Sequence, residues 1–165
     1  MTVIETAEYL ISKCPGFDRG IITDTDKRGD EFCEIIMKNE KNERFPITVS
    51  ITLDGCSISV GQVSNVTGSK KMTPDEAISA IGDIQADKVV FMLAYADEDD
   101  IGLGSPYLTR VFALTGGEDD MSEALYDFEA RISKPVSKFM RPFTSLKGRF
   151  IFFNYSGSLE KTLTR

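Results

Sequence analysis

The sequence predicts an α+β fold, a mostly antiparallel sheet with helices packed on one side, forming a two-layer sandwich in the order helix, strands, helix, strands, long helix. Three observations carry this. Phe45, Ile47, Val49, Ile51 and Leu53 alternate with polar residues up to Asp54-Gly55, and Cys56, Ile58 and Val60 resume the alternation, as in a hairpin with one apolar face. Two segments, Thr2-Val3-Ile4-Glu5 and Thr73-Pro74-Asp75-Glu76, place N-capping residues ahead of apolar positions at helical spacing. The almost wholly apolar run from Lys88 to Ala96 has the length and β-branched, aromatic content of a strand buried near the middle of a sheet.

Taken in order, the first helix has Val3, Ile4, Ala7, Leu10 and Ile11 on one side and stops at Pro15-Gly16. A short strand near Ile21 and Ile22, a turn over residues 23–30 and a second strand over residues 31–38 follow. Residues 39–44 are polar and read as a turn. A two-residue type I′ loop at Asp54-Gly55 pairs Leu53 with Cys56, Ile51 with Ile58 and Val49 with Val60. The Thr, Ser and Gly residues of the other face then meet solvent or a partner.

After a polar loop over residues 65–72, the second helix takes Pro74 at its first position, acids in its first turn, and a stripe of Ala77, Ile78, Ile81 and Ile84. Residues 107–115 read as a strand. Beyond Gly116-Gly117 the longest helix carries Met121, Leu125, Phe128, Ile132, Val136 and Phe139, with Pro135 kinking or dividing it. The stretch Arg149 to Tyr155 is too aromatic to be left in water and is expected to add to a sheet edge, in its own chain or in a second copy. No linker or repeat interrupts the 165 residues, which are read as one domain whose residues 131–165, a basic helix and a terminal strand, form an exchange or partner element.

Charge is divided along the chain. Residues 1–130 hold 11 Lys and Arg against 25 Asp and Glu, whereas residues 131–165 hold 8 against 1. Such a division speaks of association more than of catalysis. On the C-terminal helix, Arg131, Lys134, Lys138 and Arg141 recur beside Ile132, Val136 and Phe139, so a cationic stripe borders an apolar one. The partner-binding residues expected from this pattern are Arg131, Lys134, Lys138, Phe139 and Arg141, together with Phe150 and Phe152 of the terminal strand.

The partner is a protein or a second copy, as a homodimer. The acidic body disfavours nucleic acid and, equally, an anionic membrane surface. With no basic apolar leader and no run of about 20 apolar residues, a cytoplasmic location without a transmembrane segment is expected.

The chain has no histidine, which removes the commonest general base and transition-metal ligand. Cys14, Cys33 and Cys56 are widely spaced and read as buried hydrophobes, not as a disulfide or zinc set. No catalytic residue and no cofactor is assigned. Asp97, Asp99 and Asp100 begin like a calcium loop, but Ile101 and Leu108 stand where the later ligands belong. The alternative to a binding protein is a small-ligand or divalent-metal-dependent enzyme gathering those carboxylates beside Ser105 and Arg110 in the 97–110 loop.

As an order of elements over about residues 1 to 140, the chain resembles the small acidic domains of type III secretion chaperones and the related YbjN-like proteins. That resemblance implies a dimeric, non-catalytic binder of other proteins. The function expected is therefore a cytoplasmic adaptor or chaperone-like domain acting through sheet edges and its basic amphipathic C-terminal helix.

Overall fold

Both helices begin with reciprocal capping. In a computed structural model, which describes residues 1–18, 20–66, 68, 70–95, 106, 108–113 and 149–164, helix α1 spans Val3–Lys13 and helix α2 spans Pro74–Gln85. Thr2 Oγ1 accepts the Glu5 N–H at 3.2 Å while Glu5 Oε2 accepts the Thr2 N–H at 2.8 Å. Thr73 and Glu76 repeat the exchange at 3.3 and 2.7 Å. Each box satisfies amides that the first helical turn leaves without partners.

Strands β1 (Ile22–Thr25), β2 (Glu31–Met37), β3 (Ile47–Thr52) and β4 (Gly55–Val60) form an antiparallel sheet in chain order. Alternation sends Cys33, Ile35 and Met37, then Ile47, Val49 and Ile51, then Cys56, Ile58 and Val60 to one buried face. Helices α1 and α2 pack on that face through Val3, Ala7, Leu10, Ala77, Ile81 and Ile84. Each fully buried Leu or Ile here contributes about 1.5–3 kcal/mol. Thr48, Ser50, Thr52, Ser57 and Ser59 of the opposite face are half-buried. The tyrosine hydroxyl of Tyr9 donates to Asp75 Oδ1 at 2.8 Å and ties the two helices together.

The remaining strands build a second sheet. β5 (Val89–Tyr95), β6 (Leu108–Ala113), β7 (Arg149–Asn154) and β8 (Glu160–Thr164) lie in the order β6-β5-β7-β8, all antiparallel. Phe91, Leu93, Tyr95, Ile151, Phe153 and Tyr155 join the core of the first sheet. Phe153 stacks on Phe45 with ring centroids 3.6 Å apart. Val90, Met92, Ala94, Phe150 and Phe152, on the other face, are buried as well. The apolar run beginning at Lys88 therefore forms a central strand buried on both faces, in accord with its composition.

The chain does not continue the first sheet at β4, whose outer edge is already occupied. Cys56 and Met72 exchange both backbone bonds, at 2.8 and 2.9 Å. Val66 N–H donates to Ile58 O at 2.8 Å, and Val60 and Val63 exchange bonds at 2.9 and 3.0 Å. With those groups used, β5 has no row of donors and acceptors left on β4 to join.

Three local expectations are corrected. The β3–β4 register pairs Ile51 with Cys56, Val49 with Ile58 and Ile47 with Val60, so the loop is Leu53-Asp54 and not Asp54-Gly55. A type I′ loop at Asp54-Gly55 needs positive φ at both residues; here Asp54 lacks it and Gly55 alone has it, at 127°. The second correction concerns β1, which continues to Thr25 through residues read as a turn. The third is that the terminal aromatic strand is not at an edge. It pairs with β5 of its own chain on one side and with β8, which the sequence reading missed, on the other. The long helix expected after Gly117 lies outside the described residues.

Candidate functional site

Of the two edges of the first sheet, β4 is sealed, whereas among the described residues β1 is open. All four residues of β1 are exposed, and Ile22 keeps 52 % of its surface. At the hairpin end the Asp26 N–H donates to Asp30 O at 2.9 Å, which turns Asp26 toward β2. Antiparallel pairs alternate between bonded and non-bonded, so Asp24 and Ile22 also bond inward, opposite Phe32 and Glu34. The backbone groups of Thr23 and Thr25 consequently face away from the sheet. The Thr25 N–H is taken by Asp24 Oδ1 at 2.7 Å, which leaves the Thr23 N–H and the carbonyls of Thr23 and Thr25 on the open side.

A groove of about 290 Å³ runs beside this edge, lined by Val3, Ile4, Thr23, Asp24, Thr25, Glu31 and Phe32. Its wall is the start of α1, where Ile4 remains 47 % exposed. Thr23 and Thr25 pair with Cys33 and Glu31, so their side chains share the helix-covered face of the sheet. Because α1 packs over β2 and β3, β1 projects past it as a shelf. The result is a strip of backbone unpaired among the described residues, with an apolar wall on one side.

The larger concavity, about 470 Å³, lies where the β2–β3 turn meets the end of β7, with Phe17, Met37, Gln85 and Tyr155 among its lining residues. Its deepest polar side chain is already committed. Asn39 Nδ2 donates to Tyr155 O at 2.7 Å and to Phe45 O at 3.4 Å, while Asn39 Oδ1 accepts the Lys41 and Asn42 amides at 3.1 Å each. At its rim Asp18 and Lys38 pair at 3.4 Å. The Tyr155 hydroxyl is pushed above the usual tyrosine range, chiefly by burial and secondarily by Glu40.

The carboxyl groups of Glu5 and Glu76 are held below the usual range, each first by a backbone hydrogen bond within its capping box, at Thr2 and Thr73 respectively. Those are helix-cap effects. Cys14, Cys33 and Cys56 are free and buried, and burial pushes their thiols up, that of Cys56 to about 11. A protonated, enclosed thiol is a poor nucleophile. Among the described residues no group of three or more Cys, Asp or Glu is placed to hold a metal ion, and no helix is long and apolar enough to cross a membrane.

Of the residues singled out in the sequence, Phe150 and Phe152 lie on β7 and are 1 % and 0 % exposed. Any part they take in association therefore requires them first to be uncovered. Arg131, Lys134, Lys138, Phe139 and Arg141 lie outside the described residues, as do Asp97, Asp99, Asp100 and Ser105. The backbone of Arg110 sits on β6 opposite Met92. The β1 edge itself escaped sequence reading, because Ile22-Thr23-Asp24-Thr25 has no apolar alternation; its one local signal is the turn closed by Gly29, at φ 85°.

The chain matches no family model, no curated protein and no solved structure.

Proposed function

We propose that this chain is a non-catalytic, cytoplasmic protein-binding domain of adaptor or chaperone-like type that receives an extended segment of its partner along β1. The observation that carries the reading is the asymmetry of the first sheet: one edge is closed by the chain itself, the other is exposed beside a groove with one apolar wall. Strand addition supplies affinity through main-chain bonds and specificity through alternate side chains, and an open edge with a neighbouring groove offers both. The dimeric habit implied by the type III secretion chaperone and YbjN-like resemblance belongs to the same proposal, with the basic stripe of Lys134, Lys138 and Arg141 as its contact. Light scattering at low and high salt reports that contact, which weakens with salt and in the Lys134→Glu/Lys138→Glu/Arg141→Glu variant.

The edge is tested by selecting a random peptide library displayed on phage against the full chain and counter-screening on Thr23→Pro. Proline removes the outward Thr23 N–H without touching the bonds from β1 to β2, a position where edge strands accept it. Peptides that bind the wild-type chain and lose at least about tenfold on Thr23→Pro are the expected result, about one to two backbone hydrogen bonds' worth. Failure to enrich any peptide, or enrichment indifferent to the proline, would refute the strand-addition reading. Circular dichroism of Thr23→Pro verifies that the fold is retained.

A further inference from the structure

Building on the strand-addition reading, we infer that the partner segment carries a lysine or arginine directly opposite Asp24, between small or apolar residues that enter the groove beside Ile4. On a strand added antiparallel to β1, the residue facing Thr23 can exchange both backbone bonds, the residue facing Thr25 can bond its carbonyl while its N–H stays with Asp24 Oδ1, and the residue facing Asp24 occupies the non-bonded position between them. Side chains approach most closely at non-bonded pairs. Asp24 is exposed on the face of the sheet away from the helices. One of its carboxylate oxygens, Oδ1, holds the Thr25 N–H at 2.7 Å and so fixes the group at the edge, leaving Oδ2 for a cation.

The charge around the edge points the same way. Asp24 is in no ion pair among the described residues, and no described Lys or Arg lines the groove. Asp26 and Asp30 bracket the adjoining turn, whose Lys27 and Arg28 stand beyond the end of β1. A second copy is a poor occupant for the same reason. Two β1 strands paired antiparallel about Asp24 would set its carboxylate against its own counterpart, and like charges directly opposite are destabilising. A carboxylate on an exposed edge strand is also a recognised guard against self-pairing. The same side chain thus discourages one occupant and selects another.

The partner-side alternation follows from the pleat. Residues facing Thr23 and Thr25 fall on the helix side, against the apolar wall of Val3 and Ile4, while the basic residue between them points to the open face.

The experiment takes the tightest Thr23-dependent peptide from the selection, replaces its basic residue by glutamine, and measures both peptides by fluorescence anisotropy against the wild-type chain and Asp24→Asn. Asparagine keeps an acceptor for the Thr25 N–H and removes only the charge. The expected result is weakening by about three- to fivefold on the wild-type chain, the upper range of an exposed cross-strand pair, no difference on Asp24→Asn, and loss of the preference at high salt. Thr23-dependent peptides without a basic residue, or an equal loss on Asp24→Asn, would overturn the inference and leave strand addition standing. A complete absence of Thr23-dependent peptides overturns strand addition and this inference together. A Thr23→Pro-sensitive dimer in light scattering identifies a second copy as the occupant and equally overturns it.

Discussion

Asn39, in the turn after β2, and Tyr155, at the end of β7, are joined by a buried hydrogen bond of 2.7 Å from Asn39 Nδ2 to the Tyr155 carbonyl. The two residues are 116 positions apart, and the bond links the turn of one sheet to the last inward residue of the other. Asn39 is 3 % exposed. Its oxygen also closes its own turn on the amides of Lys41 and Asn42. One amide side chain thereby fixes a local turn and a long-range contact together.

Replacing it tests that double duty. Asn39→Ala strips the Tyr155 carbonyl of this donor and the turn of its acceptor, so a loss of about 2–4 kcal/mol is expected in urea unfolding. Asn39→Asp keeps the acceptor for the turn but presents a carboxylate to the Tyr155 carbonyl. It is expected to be no better than alanine, which distinguishes the long-range bond from the local one.

Gly55 is required by two constraints at once. Its φ is 127°, and a Cβ built there would lie 2.5 Å from the Met72 carbonyl oxygen, where Cys56 and Met72 close the β4 edge. Gly55→Ala is expected to cost about 2–4 kcal/mol through backbone strain and displacement of that segment. Gly29, at φ 85° with nothing within 4 Å of the corresponding Cβ, carries only the conformational cost, so Gly29→Ala is expected to cost about 1–2 kcal/mol. Thermal melts of the two variants side by side check the order.

The helix caps give a pH dependence of known sign. The folded Glu76 carboxyl is held below its ordinary range, first by the backbone bond at Thr73. A depressed carboxyl contributes stability that is present above its unfolded value, about 4.3, and is lost as pH falls through the lower folded value. Wild type is therefore expected to exceed Glu76→Gln in unfolding midpoint at neutral pH, with the gap closing in acid as Glu76 takes up its proton. A constant gap across that range would show that the charge is irrelevant to the cap. Glu5→Gln is expected to behave alike, its carboxyl being lowered in the first instance by the backbone bond at Thr2.

Several elements could be read directly from residues near one another in the chain. Both capped helices, the inward triplets of β3 and β4, the central apolar strand and the buried cysteines follow from capping residues and from periods of 3.6 and 2. The hairpin faces were legible for the same reason. Its register was not, because Asp54-Gly55 fits an I′ loop locally, while the position of Gly55 answers to the Met72 segment lying against it. The last strand was hidden too: Ser156-Gly157 marks the turn, but Glu160–Thr164 has too little apolar alternation to announce itself beside the aromatic run.

Local pattern, then, was enough to assign helix or strand and to say which side of each is apolar, since those properties depend on neighbours a few residues away. The division into two sheets, the enclosure of β7, the Asn39–Tyr155 bond and the exposure of β1 were settled only when distant segments met. Whether a strand edge is open depends on what else in the chain has already taken its hydrogen bonds. Here Val63, Val66 and Met72 close β4, and no described strand lies beyond β1.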